Sequence, residues 1–149
     1  MGLEQDIKQK KFNCEYEKAT VNILYTAGWV ESKNIKRLKP YGITSQQYNV
    51  LRILRGSHPK KLMLNDIACR MIDKNSNTTR LIDKLLKNQL VTRVQCEKNR
   101  RQVDIGITDK GLDVLTAIDA ETEKWRNNFE SLTKKECIEL NKLLDKLRG

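Results

Sequence analysis

The chain has 149 residues, of which 38% are hydrophobic, 32% are charged and 5% are aromatic. This length and balance predict a single domain with a hydrophobic core and exclude a fibrous or linker-rich protein. No apolar run approaches the roughly 18 residues needed to span a bilayer, and residues 1–12 lack the apolar core of a signal peptide. We therefore expect a cytoplasmic protein.

The net charge of +10 is unevenly distributed along the chain. Residues 1–60 carry 11 Lys and Arg against 5 Asp and Glu, residues 61–110 carry 11 against 6, and residues 111–149 carry 7 against 8. The basic first two thirds of the chain indicate a part that binds a polyanion. The nearly neutral last third indicates a segment with a different role.

Two helices are predicted in the first part of the chain. Apolar residues recur near the helical period over about residues 6–36, which predicts one long helix with no partner of its own. Thr44 and the polar residues after it can cap a second helix, whose apolar stripe runs from Val50 to Leu54. Gly56 suits the position just after the end of that helix.

A short helix over residues 62–71 is predicted next, followed by a polar break at residues 73–77. The helix after the break, roughly Asn77 to Asn88, has one apolar face, formed by Thr78, Ile82, Leu85 and Leu86. Its opposite face is polar and basic, and consists of Asn77, Arg80, Lys84 and Lys87.

Two alternating runs, residues 90–96 and residues 102–108, predict the strands of a β-hairpin. The tip between them, residues 97–101, is rich in charge. Residues 75–101 together carry 7 Lys and Arg against 2 Asp and Glu. That concentration is unusual for a purely structural hairpin.

The last third is predicted to be helical. A stripe from Leu112 to Phe129 has coiled-coil-like spacing. Thr133 and Glu136 match a capping box that opens a final helix, with Leu140 to Leu147 as its apolar stripe.

Four scattered cysteines and a single histidine, His58, form no metal-ligand spacing and no disulfide framework. Reduced and mostly buried thiols are the expectation. The chain also lacks a nucleophile motif and a Gly-rich phosphate loop, so we predict neither a metal nor a cofactor, and a protein that is not an enzyme.

A helix, a turn, a second helix and a basic hairpin follow one another in the order of a winged helix-turn-helix. The second helix of such a pair can enter the major groove of DNA, and a hairpin tip can enter the adjacent minor groove. The predicted fold class is therefore mainly α with a small β-hairpin wing, and the predicted partner is double-stranded DNA.

Three segments resemble the MarR family of transcriptional regulators in the right order. Residues 43–54 resemble the helix before the DNA-reading unit, residues 77–85 the recognition helix, and residues 99–111 the wing and the helix start after it. The resemblance implies a homodimer, usually a repressor, that reads a pseudo-palindromic operator. Residues of about 1–40 and 111–149 would supply dimerisation helices, and residues of about 41–110 the winged helix-turn-helix.

The predicted DNA contacts combine this resemblance with the residue chemistry. They are Asn75, Ser76, Asn77, Thr79, Arg80, Lys84, Lys98, Asn99, Arg100 and Arg101. Arg101 matches the wing-tip arginine of the family, and Arg101→Ala should weaken DNA binding without unfolding. Asn99 stands where the family commonly has aspartate, so a charge-assisted contact to that arginine is lost and Arg100 shares its role.

Regulation by a small-molecule effector is the usual theme of the family. The aromatic or titratable residues predicted to line an effector pocket are Tyr25, Trp29, Tyr41 and His58. Two alternatives stay open. One is a non-specific or architectural winged-helix module, and the other is a redox-sensing regulator that uses Cys14 as its thiol.

Overall fold

The computed structural model describes residues 2–96 and 99–149, and at positions 96 and 99–102 it describes the backbone alone. Eight α-helices, three strands and two short 3₁₀ helices, Lys39–Tyr41 and Asn127–Phe129, are assigned over these residues. The helices are α1 (Leu3–Asp6), α2 (Glu15–Leu38), α3 (Ser45–Ser57), α4 (Leu64–Arg70), α5 (Thr78–Lys87), α6 (Asp109–Ala120), α7 (Thr122–Arg126) and α8 (Lys134–Arg148). The strands are β1 (Leu62–Met63), β2 (Val91–Cys96) and β3 (Asn99–Ile107).

The core of the molecule is built around α3. The Thr44 side chain accepts a hydrogen bond from the Gln47 amide, and the Gln47 side chain in turn accepts one from the Thr44 amide, which starts the helix with a capping box. Val50, Leu51 and Leu54 then lie on one face and are fully buried. The helix continues through Gly56 and ends at Ser57, so the expectation that Gly56 lies outside it is wrong.

Three antiparallel strands form the sheet in the order β1-β3-β2. The predicted hairpin is present, with Val91 opposite Ile107 at its base. The helix predicted over residues 62–71 begins only at Leu64, because Leu62 and Met63 pair with β3 and form the third strand. A strand of two residues is too short to be predicted from alternation of apolar and polar side chains.

The helix α5 matches its prediction closely. It spans Thr78–Lys87, and the side chain of Asn77 accepts a hydrogen bond from the Arg80 amide as its N-cap. Ile82 and Leu85 are fully buried, and Thr78 and Leu81 nearly so. Thr78 and Leu81 are therefore packing residues, as their apolar positions indicated.

The helix predicted over about residues 6–36 begins later than expected. A short helix, α1, ends at Asp6, Lys8 adopts a left-handed backbone with φ of 56°, and α2 begins only at Glu15. The segment between them carries several lysines and little apolar surface, so no packing continues the helix across it. The C-terminal stripe is also divided, since α6 ends at Ala120 before α7 begins.

Helices α2 and α8 carry large apolar side chains that the single chain leaves exposed. On α2 these include Tyr16 and Leu24, and on α8 they include Leu140, Leu143 and Leu147. No helix in the described part of the chain is both long enough and apolar enough to cross a bilayer. The fold class predicted from the sequence, a winged helix-turn-helix flanked by N- and C-terminal helices, is confirmed.

The expectation of buried thiols is wrong for the three cysteines whose side chains are described. Cys14 and Cys69 are exposed, and Cys137 is half-buried, all three as free thiols. Each lies on a segment that the core does not cover. Cys14 immediately precedes α2, Cys69 lies on the outer side of α4, and Cys137 belongs to α8.

Candidate DNA-binding interface

The outward face of α5 is basic and free of apolar side chains. Arg80, Lys84 and Lys87 are all exposed, and the predicted contact residue Thr79 lies beside them at the start of the helix. No ion pair within the described residues neutralises these three cations. Ten residues of α-helix extend about 15 Å, which fits within the major groove.

The segment entering α5 supplies the other predicted contacts on this side. Asn75 and Asn77 are exposed and Ser76 is half-buried. The amide oxygen of Asn77 is engaged as the helix cap, because it accepts a hydrogen bond of 3.0 Å from the backbone N–H of Arg80. The structure therefore brings Asn75, Ser76, Asn77, Thr79, Arg80 and Lys84 to one end and one face of α5.

Asp73 organises this entering segment. Its carboxylate accepts hydrogen bonds from the backbone N–H of Asn75, at 2.9 Å, and from Nε2 of Gln46, at 2.8 Å. The bond from Asn75 and then that from Gln46 lower the pKa of Asp73 below its ordinary value of 3.8, because both stabilise the charged form. The prediction from sequence treated Asp73 only as part of a polar break and did not include Gln46.

The wing is connected to α5 by an ion pair that the sequence analysis did not find. Nη1 of Arg93, on β2, lies 3.1 Å from Oδ1 of Asp83, on the exposed side of α5. Both side chains are about half exposed, so the pair contributes at most about 1 kcal/mol to stability. Its geometric effect is to join the hairpin to the helix at a defined place.

The predicted contacts at the wing tip are only partly covered by the structure. Lys98 lies outside the described residues, and so do the side chains of Asn99, Arg100 and Arg101. The backbone places Asn99 at the start of β3, paired with Cys96 at the end of β2. The contacts predicted for these four residues therefore stay predictions.

The four residues predicted for an effector pocket make contacts in different parts of the described structure. Trp29 packs edge-on against Phe129, with ring centroids 6.0 Å apart, and Tyr25 lies one turn before it on α2. The Tyr41 hydroxyl donates to the carbonyl of Ala117, at 3.4 Å. His58 is exposed at the C-terminal end of α3.

A cavity of about 580 Å³ lies instead between α2, α3 and the segment entering α5. It combines apolar and polar side chains, and it is lined by Glu31, Asn34, Ser45, Gln46, Tyr48, Asn49, Arg52, Met71, Ile72 and Asp73. None of the four predicted pocket residues belongs to this lining. The cavity is formed by elements that are distant in sequence, so no local sequence pattern could predict it.

The charge of the cavity lining is set by two carboxylates, Glu31 and Asp73, against one guanidinium, Arg52. Nη1 of Arg52 is also 3.0 Å from Asp119 on α6. The lining therefore carries one more negative than positive side chain. Among the described side chains, no group of three His, Cys, Asp or Glu residues is arranged to hold a metal ion.

Comparison with known proteins points to one family. The sequence pattern of the MarR family matches residues 43–103, the stretch from the start of α3 to the wing. The uncharacterised HTH-type transcriptional regulator YsmB of Bacillus subtilis is 29% identical over 128 residues, covering 85% of this chain and 86% of YsmB. The transcriptional repressor MprA of Escherichia coli is 26% identical over 89 residues, covering 60% of this chain and 50% of MprA.

The tertiary structure leads to the same family. The crystal structure of a MarR transcription factor from Planctomyces limnophilus is similar, with a TM-score of 0.69 and 29% identity over 91% of this chain and 98% of that one. These relatives are transcriptional regulators and not enzymes, and they share the winged helix-turn-helix whose basic face was described above. By its sequence pattern over residues 43–103 and by its fold, the chain is similar to the MarR family of DNA-binding transcriptional regulators.

Proposed function

We propose that this protein is a homodimeric repressor that binds a pseudo-palindromic operator and is released from it by a small-molecule effector. The observation that carries the DNA-binding part is the exposed face of α5, where Arg80, Lys84 and Lys87 lie opposite a buried apolar face and have no ion-pair partner among the described side chains. Lysine and arginine in this arrangement neutralise phosphates and release counterions. Arg80, nearest the N-terminal turn, can also reach a guanine edge.

The proposal of a dimer is supported by the apolar residues of α2 and α8. Leu24, Leu143 and Leu147 are more than half exposed in the single chain, and such a surface is usually covered by a partner. The neutral charge of residues 111–149 also favours self-association, since a strongly basic face would repel its copy. A two-fold dimer presents two copies of α5 to two half-sites of an operator.

The repressor role is supported by the relationship to MprA, which is named a transcriptional repressor. The effector role is supported by the cavity of about 580 Å³, since it is large enough for a small organic molecule and borders both α2 and the segment entering α5. The excess of carboxylates in its lining, Glu31 and Asp73 against Arg52, favours a neutral or cationic ligand that carries hydrogen-bond donors over a carboxylate. A ligand there would act by binding one arrangement of the two parts better than the other.

The experiment that tests DNA binding starts with selection of binding sites from a random DNA library by the full-length protein. A mobility shift with the selected site is then challenged by excess random DNA. We expect a complex that contains two chains and survives the challenge. Loss of the complex at equal concentrations of random DNA would instead support a non-specific, architectural role.

Charge-matched variants test the assignment of α5. Arg80→Ala and Lys84→Ala should each weaken binding, and each should reduce the slope of log affinity against log salt by roughly 1, as expected for one lost phosphate contact. The control is Lys60→Ala, because Lys60 precedes β1 at the end of the sheet away from the wing tip. An equal loss of affinity in all three variants would contradict the assignment.

The effector proposal is tested with a library of small neutral, cationic and anionic compounds, by thermal unfolding and by release of the selected DNA. Cationic or neutral compounds should raise the unfolding temperature and release DNA. Glu31→Gln should weaken the binding of the cationic compounds in particular. If only carboxylates act, or if Glu31→Gln changes nothing, the cavity is not the effector site.

A further inference from the structure

The segment between α4 and α5 has few apolar anchors of its own. Met71 is buried, but Ile72 is 86% exposed, and residues 72–75 are all exposed. Hydrophobic packing therefore does not determine the path of the chain into α5. The path of this segment instead follows hydrogen bonds, which its backbone and side chains make to α3 and to one another.

Two side chains of α3 hold the segment. Nε2 of Gln46 donates to Oδ2 of Asp73 at 2.8 Å, and Oδ1 of Asn49 accepts from the backbone N–H of Ile72 at 2.9 Å. Gln46 and Asn49 are three residues apart, so they lie on the same face of α3. The Ile72 backbone N–H and the Asp73 carboxylate, which are adjacent in the chain, are thus both hydrogen-bonded to one face of α3.

From Asp73 the hydrogen bonds continue toward α5. Oδ1 of Asp73 accepts from the backbone N–H of Asn75 at 2.9 Å, and the Asp73 carbonyl accepts from the Ser76 hydroxyl at 2.8 Å. Asn77 then caps α5 through the backbone N–H of Arg80. The lowered pKa of Asp73 agrees with a carboxylate that stays charged and accepts strong bonds at neutral pH.

We propose that Gln46, Asn49 and Asp73 are positioning residues that set the place of the first turn of α5, and thereby the sequence specificity of DNA binding, without touching DNA. We call these three residues the α3 latch. The proposal rests on the proposed DNA-binding function. It assigns a role in that function to three residues that lie outside the basic face of α5. It predicts a loss of discrimination between DNA sequences that exceeds the loss of general DNA affinity.

This difference follows from how the two kinds of contact depend on position. A hydrogen bond to a base edge is lost when the donor moves by a fraction of an ångström, whereas long lysine and arginine side chains can follow a phosphate. Releasing the latch shifts Asn75, Ser76 and the first turn of α5, but Lys84 and Lys87 lie on later turns and the long Arg80 side chain can still follow a phosphate. Affinity for random DNA and its salt dependence should therefore be retained.

The test compares Gln46→Ala and Asp73→Ala with the wild type and with Gln5→Ala, which removes an exposed glutamine remote from the latch. We expect Gln46→Ala to bind the selected DNA site about tenfold more weakly, the effect of one lost charge-assisted hydrogen bond, and Asp73→Ala, which loses two such bonds, to bind it at least as weakly. Binding to random DNA should stay within about twofold. Asp73→Asn should restore most of the specific affinity, because its amide can still accept from Asn75 and can donate to a rotated Gln46.

Amide hydrogen exchange in the free protein provides a readout that requires no DNA. In Gln46→Ala the amides of Asn75 and Arg80 should exchange about tenfold faster than in the wild type, while those of α3 are unchanged. Unchanged exchange at these amides would overturn the latch even if the wild type lacked an operator. Parallel losses of specific and random binding, or none at all, would overturn it as well. A wild type that cannot distinguish DNA sequences would count against the proposed function alone. The hydrogen-exchange result would still show whether the latch positions the first turn of α5.

Discussion

At the scale of single residues, Gly111 is the position where packing leaves the least room. It lies in the first turn of α6, where a Cβ would stand 2.4 Å from the backbone carbonyl oxygen of Leu90 and 2.7 Å from Cγ1 of Ile107. The backbone N–H of Gly111 also donates to the Thr108 hydroxyl that caps α6. The helix can approach the base of the hairpin only because this residue has no side chain.

Gly111→Ala should therefore destabilise the protein by about 2 kcal/mol or more, because the backbone of Leu90 cannot move without disturbing β2. The matched control is Gly56→Ala, since Gly56 lies in α3 and a Cβ there meets nothing within 4 Å. That variant should be more stable than the wild type by about 0.5–1 kcal/mol. Chemical denaturation of the two variants measures both changes, and similar stabilities would contradict the close approach.

Pairs of residues also join the parts of the protein at defined places. Asp119 on α6 accepts from Arg52 at 3.0 Å and from Arg55 at 2.7 Å, so two turns of α3 are tied to one carboxylate. These side chains are partly exposed, which limits each ion pair to about 1 kcal/mol. Their role is to orient α6 against α3, and α6 leads toward the C-terminal helices.

At the scale of elements, α8 is the helix whose stability depends most on its own ends. It has no buried residue in the single chain. Its N-terminus is a capping box, in which Glu136 accepts from both the backbone N–H and the hydroxyl of Thr133, each at 2.7 Å. These hydrogen bonds lower the pKa of Glu136 below its ordinary value of 4.5.

A carboxyl whose pKa is lower in the folded state stabilises that state above its unfolded pKa, and this contribution is lost as the pH falls through the folded value. The helix content of α8 should therefore decrease as the pH is lowered below about 4.5. Glu136→Gln keeps a hydrogen-bond acceptor and removes the titration. Circular dichroism should show a smaller pH-dependent loss in Glu136→Gln than in the wild type, and identical pH profiles would exclude the cap as the cause.

At the scale of the whole molecule, the exposed apolar residues of α2 and α8 are the feature that a single chain leaves incomplete. The stripe of α8 consists of Leu140, Leu143 and Leu147, at 45%, 56% and 67% exposure. These residues lie three and four apart, so they form one face of the helix. Covering this face by a second copy would place two α5 helices in one assembly.

Leu143→Glu should convert the proposed dimer to a monomer, because a carboxylate would be buried in an apolar interface. The affinity for the selected operator should then fall by at least tenfold, since two half-sites are no longer bound together. Lys142→Glu introduces the same residue on the opposite face of α8 and should leave the dimer intact. Sedimentation equilibrium measures the assembly state, and a wild type that is already monomeric would contradict the proposed interface.

Several features were determined by the sequence alone, because they depend on residues close together in the chain. The bounds of α5, its buried and basic faces, the two capping boxes and the hairpin all follow from local periodicity and local hydrogen bonding. Asn77 caps α5 through the backbone N–H of Arg80, and this hydrogen bond joins residues only three apart in the chain. These local features were sufficient to predict the winged helix-turn-helix and its basic face.

Other features were decided only by the tertiary structure. Leu62 and Met63 form a strand because β3 lies beside them, more than 40 residues away. The latch from Gln46 to Asp73 and the cavity beside it depend equally on how α3 meets the segment entering α5. Local propensity carries no information about such contacts, since their free energy arises only when distant segments are brought together. The sequence therefore determined which face of α5 is basic, and the tertiary structure decided which contacts hold the segment that leads into that helix.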